Sequence, residues 1–201
     1  MALSSLRATP GGGRSGEAGD TWPRWVGSYT EKKIMATIQR ISPCLWFANE
    51  AEDAALYYTG IFKNSRITTI TRYGTAGFET HHRPAGSVMT VAFELDGQSF
   101  TALNGGPLFK FNEAVSFQVN CATQDEIDYY WEKLTAGGDP KAQQCGWLKD
   151  RYGLSWQVTP SFMDSLFKDA QSPSAQRAME AMLKMKKIDI AALRRAHDGT
   201  G

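Results

Sequence analysis

The sequence predicts an α+β fold in which one strand–helix–strands unit is used twice and C-terminal helices follow. Three observations carry this. Runs of β-branched and aromatic residues with period-two alternation are separated by turn dipeptides. Two helix-length segments, each opened by a capping pattern, fall at equivalent places between those runs. Asp53-x3-Tyr57-Tyr58 recurs as Asp125-x3-Tyr129-Tyr130, at an offset that also lays Leu45-Trp46-Phe47 over Phe117-Gln118-Val119.

The first unit opens with "RISPCLWF", a strand in which Pro43 is tolerable near the start or on a sheet edge. Asn49 is the expected helix cap, with Glu52 completing a capping-box pattern. Ala54, Tyr58, Ile61 and Phe62 then share one helical face. "RITTITRY" reads as a strand, "GTAGFETHHRPAGS" as a polar loop. "VMTVAFEL" and "QSFTALN" flank Asp96-Gly97, a strong two-residue hairpin signal.

The second unit repeats the plan. "AVSFQVN" is a strand, and Thr123 with Glu126 caps a helix. That helix buries Ile127, Tyr130, Trp131 and Leu134 and stops at Gly137-Gly138. A short strand over Cys145–Leu148 and another over Leu154–Thr159 close the set, joined by "KDRYG". "DGQSFT" resembles "YGLSWQ", each a turn glycine leading into Ser-aromatic-polar. After it, "SAQRAMEAMLKMKKIDIAALRRA" is helical, with Met179, Met182 and Met185 at a spacing that packs against a neighbour and Asp189 capping a last short helix.

The chain of 201 residues therefore divides into a leader over 1–37, the paired units over 38–160 and a helical segment over 161–201. The Gly/Ser-rich leader reads as disordered, or as the product of an upstream start with Met35 as the true beginning. With 22 basic and 21 acidic residues and no Lys/Arg run, nucleic acid is not an expected partner. No apolar stretch has membrane-spanning length, so no membrane partner is expected. Cys44, Cys121 and Cys145 are widely separated and form no CxxC pair, which fits a reducing, cytoplasmic compartment. No nucleophile elbow, P-loop or zinc spacing occurs, and adjacent His81 and His82 in a polar loop do not make a metal site.

Strand alternation assigns faces. Ser116, Gln118 and Asn120 share one side, as do Ser155, Gln157 and Thr159, and Cys44 with Trp46. The opposite sides, Val115-Phe117-Val119 and Leu154-Trp156-Val158, are apolar and belong against the helices. A polar face of this kind lines a cleft or is simply solvated.

"ISPCLWFANEAEDAALYYTGIF", "FELDGQSFTALNGGPLFKFNEAVSFQVNC", "QDEIDYYWEKLTAGG" and "QCGWLKDRYGLSWQVTP" resemble the PhnB-like branch of the vicinal oxygen chelate superfamily. That superfamily includes glyoxalase I and bleomycin-resistance proteins, and related sequences carry the label 3-demethylubiquinone-9 3-methyltransferase. The resemblance implies paired βαβββ modules whose curved, mostly antiparallel sheet wraps a cleft, usually in a homodimer. It also implies four metal-ligand positions, which project onto Ser42 or Pro43, Thr101, Ala114 or Val115, and Gln157. Hydroxyls, a methyl and a carboxamide replace the imidazoles and carboxylates that hold divalent metals. No metal and no cofactor are therefore expected. The expected ligand-binding residues are Trp46, Thr101, Asn104, Ser116, Gln118 and Gln157. The expectation that follows is a metal-free small-molecule binding protein. A metal-dependent isomerase, lyase or dioxygenase of the superfamily is the alternative. The labelled methyl transfer lacks the glycine-rich turn between strand and helix that would hold S-adenosylmethionine.

Overall fold

The computed structural model describes residues 39–200, so the leader expectation lies outside the described residues. The first unit runs β1 (Cys44–Phe47), α1 (Ala51–Ile61), β2 (Arg66–Arg72), a short α2 (Phe78–His81), β3 (Val88–Leu95) and β4 (Gln98–Asn104). The second runs β5 (Ser116–Cys121), α3 (Gln124–Thr135), a 3-10 turn, β6 (Trp147–Lys149) and β7 (Ser155–Pro160). Helices α4 (Met163–Leu166), α5 (Pro173–Met182) and α6 (Ile190–Asp198) follow. The fold class is α+β, as expected. The strands form a four-stranded sheet, β1-β4-β3-β2, and a three-stranded sheet, β5-β7-β6.

Both sheets place the first strand of the unit parallel to the last. The β3–β4 hairpin turns on Asp96 and Gly97, both with positive φ, as a primed two-residue turn requires. The second sheet follows the same order without a counterpart of β2, so its unit is βαββ where βαβββ is expected. The physical reason is local. Between α3 and β6 the chain offers no alternating apolar run, only Gly137, Gly138 and a turn over Pro140–Ala142 capped by Asp139. A Cβ on Gly138 would stand 2.0 Å from the Lys149 carbonyl oxygen, so the backbone passes directly over the end of β6. Cys145 has φ 52°, which moves the start of β6 to Trp147. β5 likewise begins at Ser116, leaving Val115 exposed rather than packed.

Helix ends separate local from long-range effects. The Thr123 hydroxyl accepts from the Glu126 N–H (3.2 Å), and the Glu126 carboxylate accepts from the Ala122 N–H (2.6 Å). Asp189 caps α6 through the Ala192 N–H. Asn49 does not cap α1. Glu50 is the N-cap residue and its side chain makes no cap bond. The Ala51 N–H instead donates to the Asn104 side-chain oxygen (2.9 Å), contributed by the end of β4.

The repeated tyrosines join the two units. Tyr57 donates its hydroxyl to the Lys133 carbonyl, and Tyr129 donates to the Ile61 carbonyl. Each acceptor lies one turn beyond the tyrosine of its own helix, so the two bonds are equivalent under the repeat. A second junction is buried. Asp150, 2% exposed, accepts from the Tyr58 hydroxyl (2.7 Å), the Trp156 indole N–H (2.8 Å) and the backbone N–H groups of Tyr152 and Leu154. Burial pushes its carboxyl above the ordinary carboxylate value, against the downward pull of these donors. Around it Tyr58, Phe93, Phe117 and Trp156 form a continuous aromatic core.

Candidate functional site

The polar face of the second sheet is set by register. β5 and β7 align Ser116 with Ser155, Gln118 with Gln157 and Asn120 with Thr159, and β6 places Trp147 beside Gln157. Side chains on that face are therefore cross-strand neighbours. The Gln157 amide N–H donates to the Ser116 hydroxyl (2.9 Å), and the Gln118 amide N–H donates to the Gln157 carbonyl oxygen (3.4 Å). This leaves the Gln118 carbonyl oxygen without a partner among the described residues.

Two cavities flank this amide chain. One, of about 630 Å³, runs along β5 and is lined also by Phe62, Tyr130 and Trp156 and by Asp96, Gln98 and Phe100 of the first unit. The other, of about 530 Å³, lies between Gln118, Gln157 and Thr159 and the C-terminal segment, where Met163, Phe167, Met179 and Met182 face Cys145 and Trp147. Both volumes suit a small organic ligand. Gln118, Asn120 and Gln157 line both cavities. An amide offers a donor and an acceptor at fixed angles, which suits neutral hydrogen-bonding groups on a ligand.

The structure thus brings Ser116, Gln118 and Gln157 together. The other three expected residues lie elsewhere. Thr101 pairs with Cys44 and Ala92 inside the first sheet and lines neither cavity. Trp46 lines a separate cleft; its indole N–H donates to the Gly106 carbonyl (2.7 Å). Asn104 is 6% exposed, and its amide is engaged on the Ala51 N–H and the Val88 carbonyl. It caps α1 from the end of β4 and lines neither cavity beside Gln157. The strand phase of these residues is visible in the sequence; which sheet and which partner they meet is not.

Sequence reading also missed the roof over the second cavity. The methionine spacing predicts packing, and Met182 and Met185 do pack against the core. Met179 and Met182 also line the cavity that Gln118 and Gln157 line, a placement that nothing in the local pattern encodes. Ser155, 1% exposed, holds the one buried side-chain oxygen or nitrogen without a partner among the described residues. Its neighbours on that face are Ser116 and Lys149. His81 is structural: its ring lies 4.5 Å from Tyr73, and the Arg83 N–H donates to its Nδ1.

The metal that the fold family implies does not fit these residues. The projected positions supply two hydroxyls, a methyl and an amide, and neutral donors of that kind cannot offset the desolvation of a dication. Among the described residues, no three His, Cys, Asp or Glu side chains converge on a point.

Comparison with known proteins gives the lineage. The family described as 3-demethylubiquinone-9 3-methyltransferase matches residues 39–159. A Bacillus cereus PhnB protein of solved structure, carrying the same methyltransferase label, is 36% identical, with a TM-score of 0.52 over 61% of this chain and 99% of that one. A Pseudomonas aeruginosa protein of solved structure is 19% identical, with a TM-score of 0.45 over 60% of this chain and 96% of that one. The fosfomycin resistance protein FosX of Listeria monocytogenes, solved with Mn(II) and sulfate, is 15% identical, with a TM-score of 0.44 over 67% of this chain and 99% of that one. No curated protein matches. With this family covering most of the chain beyond the leader, and with the unit duplicated in its strand order, the chain belongs to the 3-demethylubiquinone-9 3-methyltransferase family, the PhnB-like branch of the vicinal oxygen chelate superfamily.

Proposed function

We propose that this chain is a small-molecule binding protein that needs no metal, works as a homodimer in the cytoplasm, and seats its ligand against Gln157, Gln118 and Ser116. The observation that carries this reading is the amide chain between two cavities. Neutral donors and acceptors at that position favour an uncharged polar ligand over a cation. Dimerisation is supported by two edge strands, β1 and β5, each preceded by an exposed apolar residue, Ile41 and Val115. No described helix is long and apolar enough to cross a membrane.

Native mass spectrometry of untreated full-length protein tests the reading. The expected result is a dimer mass carrying a substoichiometric or full complement of a small organic molecule, which Gln157→Ala releases. Stoichiometric Mn, Fe, Ni or Zn that Gln157→Ala removes would overturn it in favour of a metal-dependent enzyme. The family's labelled methyl transfer would be favoured by a melting-temperature increase on adding S-adenosylmethionine at saturating concentration.

A further inference from the structure

We infer that a second cleft, where the β1 end of the first unit meets the β6–β7 turn of the second, binds an aromatic anion. The cleft encloses about 370 Å³ and shares no lining residue with the two cavities beside Gln157. This inference and the proposed function therefore fail separately.

Its wall is aromatic. Trp46 meets Phe109 edge-on at 4.9 Å, and Phe47 meets Phe111 at 5.3 Å and Tyr152 at 5.8 Å. The Trp46 ring is fixed. Its N–H is held by the Gly106 carbonyl, and a Cβ on Gly105 would stand 2.2 Å from the ring, so the turn closes around the indole only because that residue is glycine. Phe109 stays 59% exposed while its edge is held against Trp46. A large apolar ring left in water beside a rigid indole is half of a stacking site.

The rim is cationic. Lys110, Lys149 and Arg151 line the cleft, against Glu50 as its acidic residue. Lys149 is paired with Glu113. Lys110 and Arg151 have no carboxylate within ion-pair distance among the described residues. Arg151 is positioned by its guanidinium lying 4.5 Å over the Tyr57 ring and by donation from Nε to the Ala136 carbonyl. The Glu50 carboxylate is turned to the Asn49 N–H. A neutral aromatic ligand would use the wall alone and an aliphatic anion the rim alone. An aryl carboxylate or sulfonate engages both, with cation–π support from the rim.

The test titrates full-length protein with 8-anilinonaphthalene-1-sulfonate, with neutral N-phenyl-1-naphthylamine as the matched control. Saturable binding of the sulfonate at one site per chain is expected, weaker as salt rises. Lys110→Glu, an exposed change that leaves packing intact, should weaken it about three- to tenfold. Phe109→Ala should weaken it about tenfold, and Gln157→Ala should leave it unchanged. Equal affinity for the neutral probe, indifference to Lys110→Glu, or loss with Gln157→Ala would each overturn the assignment.

Discussion

The two units have the same strand order but solve their helix starts and sheet edges differently. In the first, α1 has no cap of its own and borrows Asn104 from the last strand, so helix and sheet are locked together. In the second, α3 is capped by its own Thr123 and Glu126, and the sheet stops at three strands. The first unit is tied together by long-range bonds. The second is tied locally, and its polar face is partly roofed by α4 and α5. A duplicated sequence need not keep duplicated roles: one copy carries the borrowed cap, the other presents the amide face.

Substitutions can separate these roles. Asp150→Ala should have the largest effect, because it strands Tyr58 of the first unit, Trp156 of the second and two backbone N–H groups in a buried site. A loss of about 3–5 kcal/mol in chemical denaturation is expected, and a loss below about 1 kcal/mol would mean the junction does not couple the units. Asn104→Ala should cost about 2–3 kcal/mol, since both the α1 cap and the Val88 carbonyl lose their partner in a buried position. Thr123→Ala, its local counterpart, should cost about 1 kcal/mol. Equal losses from Asn104→Ala and Thr123→Ala would mean that borrowed and local capping do not differ in strength.

Two smaller effects follow from burial. The folded chain holds the Asp150 proton more tightly than the unfolded chain does. This group's contribution to stability is therefore fully present below the ordinary aspartate value of about 4 and is lost as pH rises through its raised folded value. Asp150→Asn should flatten that part of the stability–pH curve measured by urea denaturation. Burial also raises the Cys121 thiol to about 12, so it should resist iodoacetamide at neutral pH in native protein while exposed Cys44 is alkylated first. Peptide mapping would read the order, and prompt labelling of Cys121 would contradict its placement in the core.

Much of this architecture is legible from local pattern. Period-two alternation is enough to put Ser116, Gln118 and Gln157 on one face and Trp156 and Val158 on the other. The turn at Asp96-Gly97 and the caps at Thr123 and Asp189 are legible because their donors and acceptors lie within a few residues of one another. The duplication is legible too, since Tyr57 and Tyr129 recur to make equivalent bonds.

Tertiary structure alone decided which partner each patterned residue meets. Asn104 and Gln157 are both amides on strands of the same plan, yet one closes a helix and the other faces a cavity. Trp46 has the strand phase of a cleft residue, but a glycine turn folds over it and it lines a separate cleft. Periodicity states which way a side chain points from its own backbone. What it points at depends on how sheets and helices from distant parts of the chain pack, and that is set by the summed burial of the whole core.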